Sequence, residues 1–175
     1  MMAGGWLAWL GGAAMALNVT MAAGEGRALY GTWYEWAHYH DTNPLQCAQA
    51  TVLTLWPSAS GAIEVLRQCR DGGGGMRRSD EEAEAGGEAL SWKVYSIWPF
   101  YHRERVLLSD PQGRYLVVCA DGLDDLQVFF PTPDPAADAV AEVLQKLAAL
   151  GVEGEALAPA RRTVVHAARD VSTPH

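Results

Sequence analysis

The stretch GTWYEWAHY, residues 31–39, sets a glycine two places ahead of a tryptophan and packs three further aromatics into the next six positions. Aromatic and β-branched side chains fit a pleated, half-buried surface, so this density predicts a strand. Side chains alternate across a strand. Trp33, Glu35, Ala37 and Tyr39 therefore fall on one face, and Tyr34, Trp36, His38 and His40 on the other.

Working outward, short apolar runs recur at about 47–56, 61–69, 89–97, 104–109, 114–119 and 125–130. HDTNPLQ, PSAS, RDGGGG, WPFYHR, DPQG and DGLDD separate them, and each supplies residues with a local reason to bend. MRRSDEEAEAGG, residues 76–87, is charged and ends in glycines; it reads as a solvated loop or a frayed edge strand. Past PTPDP the period changes. Ala136, Val140, Val143, Leu144, Leu147 and Leu150 recur at three and four, with Asp134 placed to cap the start and Gly151 to end the helix. A run of strands followed by one helix predicts an all-β barrel or sandwich with an appended helix.

At 175 residues and 18.9 kDa the chain is the size of one domain. Its net charge of -8 and pI of about 5.0 argue against a nucleic-acid partner, which requires a clustered basic surface. Residues 3–23 carry no charged side chain and end in small residues, the pattern of an export signal; no Lys or Arg precedes the run, and it is long enough to cross a bilayer. Residues 1–24 are accordingly read as a signal peptide or a retained membrane anchor, 28–158 as the folded unit with its helix at 135–150, and 159–175 as a tail. The expected location is exported (periplasm, lumen or extracellular), membrane-anchored if the leader stays.

Three segments together resemble the lipocalin family, in its bacterial and apolipoprotein-D-like branch. GTWYEWAHY resembles the family's Gly-x-Trp first strand, CAQATVLTLWPSASGAIEVLRQCR its second and third strands, and LSWKVYSIWPFYHRERVLLSDPQGRYLVVCA its strands five to seven. The resemblance spans about residues 29–150 and implies an eight-stranded up-and-down antiparallel barrel with one C-terminal helix and a ligand cavity. Two departures stand out. Pro131 occupies the place of the arginine that usually packs over the first-strand tryptophan, and Arg70 to Leu90 looks short, which implies a reduced fourth strand and one open wall.

The family orientation turns Trp33 inward at the closed end. Glu35 and Tyr39 then share the inner face, where an unpaired carboxylate is costly, so Glu35 needs a polar partner or a wet interior. Lys93 facing water puts Trp92, Val94 and Ser96 inside, and Val128 and Phe130 are similar candidates on the last strand. Trp98, Phe100 and Tyr101 ring the mouth, where exposed aromatics suit a greasy ligand or a membrane surface. All of these positions also fit plain packing.

A hairpin turning at PSAS sets Cys47 opposite Cys69 on one face and predicts a disulfide, in keeping with an oxidising compartment. Cys119 is left as a small buried hydrophobe. His38 and His40 share a face, but two histidines do not make a metal site, and no cofactor is called for. Nucleophile elbow, phosphate loop, dinucleotide fingerprint and His-Glu-x-x-His are all missing, so the reading is non-enzymatic. The expected function is binding, transport or scavenging of a small hydrophobic ligand such as a fatty acid, lysolipid or pigment-like molecule. The alternative is an accessory subunit docked on a membrane protein complex, with residues 3–23 as its anchor.

Overall fold

Period-two alternation and turn chemistry build a closed sheet. The computed structural model describes residues 29–39, 47–59, 62–86, 89–97, 100–120, 123 and 125–160; the apolar leader and the tail beyond 160 lie outside them. Eight antiparallel strands follow in chain order: β1 (Gly31–Tyr39), β2 (Val52–Pro57), β3 (Ile63–Arg70), β4 (Met76–Gly86), β5 (Ala89–Ile97), β6 (Phe100–Ser109), β7 (Leu116–Ala120) and β8 (Leu126–Phe130). Each bonds to the next, and β1 bonds to both β8 and β2, which closes the barrel. One helix, α1 (Ala137–Ala149), follows, and a two-residue strand β9 (Ala158–Pro159) ends the described chain.

The seam has two parts. β2 pairs with β1 only from Gly31 to Tyr34; beyond it β9 takes the same edge at Ala37 and His38, and Ala160 N–H donates to Trp36 O at 3.0 Å. The first strand also carries a β-bulge. Its pairing with β8 slips between Glu35, opposite Phe129, and Ala37, opposite Val128. One extra residue reverses the facing of everything after it.

Apolar side chains fall into two clusters on opposite faces of the sheet. Inside the barrel, Trp33, Leu53, Leu55, Val65, Trp92, Val94, Val118 and Phe129 are among those that pack together. Outside, Ala37, Val117, Cys119, Leu126, Val128 and Phe130 meet Ala139, Val143 and Leu147 of α1. The helix therefore covers β7, β8 and β1. Burying Val143 and Leu147 contributes about 1.5–3 kcal/mol each.

Two expectations are corrected. Residues 76–86 are not a loop but an eleven-residue strand, which pairs with β3 over Met76–Ala83 and with β5 over Ala83–Gly86. Its charges hid it: they suit the outer face, where Asp80 and Glu82 are exposed, while Glu81 and Ala83 stand opposite the lumenal Val65 and Ile63. Tertiary pairing overrides the weak strand preference of Asp and Glu. The helix also starts late. Ala136 is the N-cap, with no side-chain cap, and the Asp134 carbonyl accepts from Thr132 Oγ1 instead.

Its other end follows the expected rule. Gly151 sits at φ 83°, its N–H donates to Ala148 O, and Val152 N–H donates to Leu147 O, so two terminal carbonyls are satisfied by a left-handed glycine. The predicted Cys47–Cys69 disulfide is present, with Cα atoms 5.6 Å apart. At the β6–β7 turn the buried Asp110 carboxylate accepts from the backbone N–H of Gln112 and Arg114 and from the Arg114 guanidinium. Arg114 also bonds Glu142 of α1 at 2.6 Å, tying the turn to the helix.

Candidate functional site

The lumen has an apolar floor and a charged middle. Trp33 is 2% exposed at the floor, and its Nε1–H donates to Leu29 O at 2.8 Å. Leu55, Ile63, Leu116 and Phe129 belong to the same inner cluster.

Above the floor, Glu35 points inward and has the polar partners its burial demands. Its Oε2 accepts from Thr51 N–H at 2.6 Å, and its Oε1 from Gln127 Nε2 at 3.3 Å. His38 Nδ1 lies 3.1 Å from the same Oε1, turned to this face by the bulge. The carboxylate thus joins β1 to β2 where the two strands begin to part.

Across the lumen, Arg67 of β3 is 1% exposed and forms a two-pronged pair with Glu104 of β6, Nη1 to Oε1 at 2.9 Å and Nη2 to Oε2. Planar guanidinium and carboxylate match in this geometry. Burial alone would lower the Arg67 pKa; Glu104, with Glu81 and Glu35 adding their charge, pushes it above the ordinary value. Glu81 shows the opposite imbalance. Burial pushes its carboxyl above the usual range, Ser79 and Arg67 offset this in part, and the Glu104 charge adds to the rise. Among the described residues, no hydrogen-bond partner reaches Arg67 Nε, Trp92 Nε1 or Glu81 Oε2.

Register sets these groups at neighbouring levels. Trp92 stands opposite Ala83 on one side and Glu104 on the other, while Glu81 stands opposite Val65, and Arg67, the next inward residue of β3, stands opposite Ser79. The middle of the lumen therefore holds one guanidinium and three carboxylates.

Of the residues singled out from sequence, Trp33, Glu35, Trp92 and Val94 are brought together inside. Tyr39, Val128 and Phe130 are not. The bulge sends Tyr39 to the outer face opposite Leu126, and the β8 alternation puts Gln127 and Phe129 inside, leaving Val128 and Phe130 beneath α1. Trp36 meets Phe130 edge-on there, with ring centroids 5.8 Å apart. Tyr101 is 51% exposed on β6, with Lys93 Nζ 5.1 Å from its ring centroid. Phe100 opens β6, so the β5–β6 connection is only residues 98 and 99; Trp98 and His40 lie outside the described residues. Cys119 is buried under the helix. No group of three or more His, Cys, Asp or Glu among the described residues is placed to hold a metal ion.

Arg67, Glu81, Glu104 and Gln127 were missed from sequence. Alternation offers the signal for two of them: Arg67 keeps step with Ile63, Val65 and Cys69, and Glu104 with Val106. A second feature lies on the outer wall, an open depression of about 280 Å³ lined by Trp56, Glu64, Asp80 and Glu82, with Val65 and Glu81 at its base.

With this geometry in hand, comparison with known proteins gives a structural answer only. Neither the protein-family models nor the curated proteins contain a match. Solved structures do match. The cockroach major allergen Per a 4 superposes at a TM-score of 0.64 with 14% identity, over 79% of this chain and 88% of that one. Apocrustacyanin C1 gives 0.66 at 13% identity, over 82% of each chain. The fold is lipocalin-like. The siderocalin Ex-FABP, described as functioning through dual ligand specificities, gives 0.58 at 15% identity, over 79% of this chain and 97% of that one. At such identities the likeness extends to the lipocalin-like barrel and its helix, and not to any one lumen.

Proposed function

We propose that this chain binds a small hydrophobic ligand inside its barrel and carries or scavenges it without catalysis. The observation that carries the reading is the closed eight-stranded wall with an apolar inner lining, which includes Leu53, Val65, Trp92 and Val94 above the Trp33 floor. Barrels of eight strands have an interior just wide enough to be filled by side chains or to hold one small ligand. The lipocalin-like neighbours support a binding role. Fatty acids, lysolipids and pigment-like molecules are the candidates, and the three sequence segments favour placing the chain in the bacterial, apolipoprotein-D-like branch.

Apolar burial supplies the driving force. Roughly 300 Å² of ligand surface withdrawn from water is worth about 7 kcal/mol before ordering costs. Trp33, Glu35, Trp92 and Val94 are the proposed wall residues. The disulfide suits an oxidising compartment, so the working location is outside the cytoplasm.

The test is solvent extraction of the protein purified without detergent, followed by mass spectrometry of what is released. An apolar compound near one per chain is expected. No such compound, together with no saturable uptake of an apolar dye by the extracted protein, would overturn the reading.

A further inference from the structure

We infer that, whatever the barrel carries, two copies of this chain associate through the uncovered edge of β4, with Met76–Glu82 of one pairing antiparallel to the same segment of the other about Ser79.

β4 has one edge covered along its length and the other covered only in part. It bonds to β3 from Met76 to Ala83, but to β5 only from Ala83 to Gly86. Past the Ala83–Trp92 pair the two strands part, and β5 keeps β6 alone as its neighbour as far as Ile97. Among the described residues, no strand covers the β5 side of β4 over 76–82. An uncovered edge presents a row of backbone N–H and C=O groups, which is a template for another strand. The barrel's other parting is filled in that way: where β2 leaves β1, β9 bonds to Ala37 and His38.

The sequence along this edge is complementary to itself. The uncovered run has Ser79 at its centre, and its charges change sign there, with Arg77 and Arg78 before it and Asp80 and Glu81 after it. In an antiparallel pair centred on Ser79, each residue meets the one equally far beyond the centre. Arg78 then stands opposite Asp80 of the second copy, and Arg77 opposite Glu81 of the second copy. A two-fold axis through Ser79 makes each contact twice, as an isologous interface requires. Unlike charges directly opposite each other stabilise a strand pair, and like charges destabilise it. Facing fixes the register: the smallest slip that keeps inner face beside inner face is two residues, and it sets Asp80 against Asp80 or Arg78 against Arg78.

Charges on an uncovered edge ordinarily keep copies apart. Here they do so in every face-matched register near the centre except the one about Ser79. Nor do the present contacts block it. Arg78 and Asp80 bond each other on the outer face, where their side chains are 56% and 59% exposed, and Arg77 meets Asp71 through Nε. One strand pair buries far less than the roughly 1,000 Å² of a stable interface, so the association is a weak, salt-sensitive equilibrium.

The test is sedimentation velocity of the intact, disulfide-bonded chain from about 5 to 500 µM in low salt, where screening is least. Dimer should grow with concentration, and raising the salt to about 0.5 M should weaken it roughly 5-fold. Two outer-face variants, Arg78→Glu and Asp80→Arg, should each self-associate at least 10-fold more weakly, while an equimolar mixture of the two recovers a one-to-one dimer of wild-type strength. Arg77 and Glu81 are left unchanged, because Glu81 faces the lumen. Register is read separately from a spin label on Glu82→Cys, outside the charged pairs; Cys119 is buried and does not compete for the label. The two labelled positions lie six residues apart along the paired strands, about 20 Å, so a label separation of about 20–30 Å is expected. A chain that stays monomeric throughout, its edge left to its own tail or to another peptide, overturns the inference. So does a dimer that both variants retain, a mixture that recovers nothing, or a label separation outside that range. Each of these results leaves the carrier reading intact.

Discussion

Breaking the Arg67–Glu104 pair from either side should reveal how unevenly the lumen is charged. Arg67 and Glu104 are 1% and 4% exposed, and removing one partner of a buried pair costs about 3–5 kcal/mol because the other is left uncompensated. The two halves are not equivalent here. Arg67→Met leaves Glu104, Glu81 and Glu35 without a lumenal guanidinium, which places it near the top of that range, about 5 kcal/mol. Glu104→Leu leaves Arg67 still facing two carboxylates, so about 3 kcal/mol is expected. The double variant should lose less than Arg67→Met alone, since an apolar replacement of both partners removes the desolvation cost as well as the attraction. Urea unfolding at pH 7 followed by tryptophan fluorescence, with the disulfide intact, gives all four corners of the cycle. Acid should partly rescue Arg67→Met, because protonating Glu81, whose carboxyl burial already pushes above the usual range, removes part of the repulsion. Additive losses, or a Glu104→Leu cost equal to that of Arg67→Met, would refute the reasoning.

Other predictions concern the frame. Replacing Cys47 and Cys69 by serine opens a loop of sequence separation 22, which should cost about 3 kcal/mol and about 10 °C of melting temperature, read by calorimetry. Asp110 is buried, which alone would raise its pKa, yet the Arg114 guanidinium and the backbone N–H groups of Arg114 and Gln112 hold it below the usual carboxylate range. A depressed folded pKa gives stability that is present above the unfolded value, about 4, and lost as pH falls through the folded one. Asp110→Asn should therefore lower the melting temperature at pH 7, with the gap from wild type closing towards pH 3. Gly151→Ala should cost about 1 kcal/mol in urea, because alanine is strained at the φ of 83° that closes α1.

Much of the fold was legible because alternation and turn residues are local signals. The Cys47–Cys69 disulfide was expected from one hairpin and is present, although the observed register sets Val52 opposite Gln68 and leaves Cys47 ahead of β2 rather than directly opposite Cys69; Trp92 and Val94 followed from the single assumption that Lys93 faces water. What failed depended on pairing between distant strands. Nothing in GTWYEWAHY announces a bulge after Glu35, since it is the register against Phe129 and Val128 that creates it; every facing beyond that point, Tyr39 and His38 included, reversed accordingly. On β8 all five residues are buried, so LQVFF carries no polar-out alternation from which a face could be chosen. Residues 76–86 were hidden by composition, because a strand with a charged outer face and an acidic residue turned inward looks like solvated loop until its neighbours are known. The charged middle of the lumen was missed for a related reason. Arg67 was in step with apolar neighbours, but its partner Glu104 lies 37 residues away and three strands over.

The central claim is that the ligand sits in the lumen, and the most direct measurement is dye binding to a chain whose lumen has been filled. N-phenyl-1-naphthylamine titrated into the extracted wild type should saturate at one dye per chain. Val94→Trp places an indole on the inner face two residues along β5 from Trp92; it should weaken the dye at least 10-fold while the far-ultraviolet dichroism stays that of the barrel. Undiminished one-to-one binding by the folded Val94→Trp chain would contradict the account, because the dye would then be held somewhere other than inside.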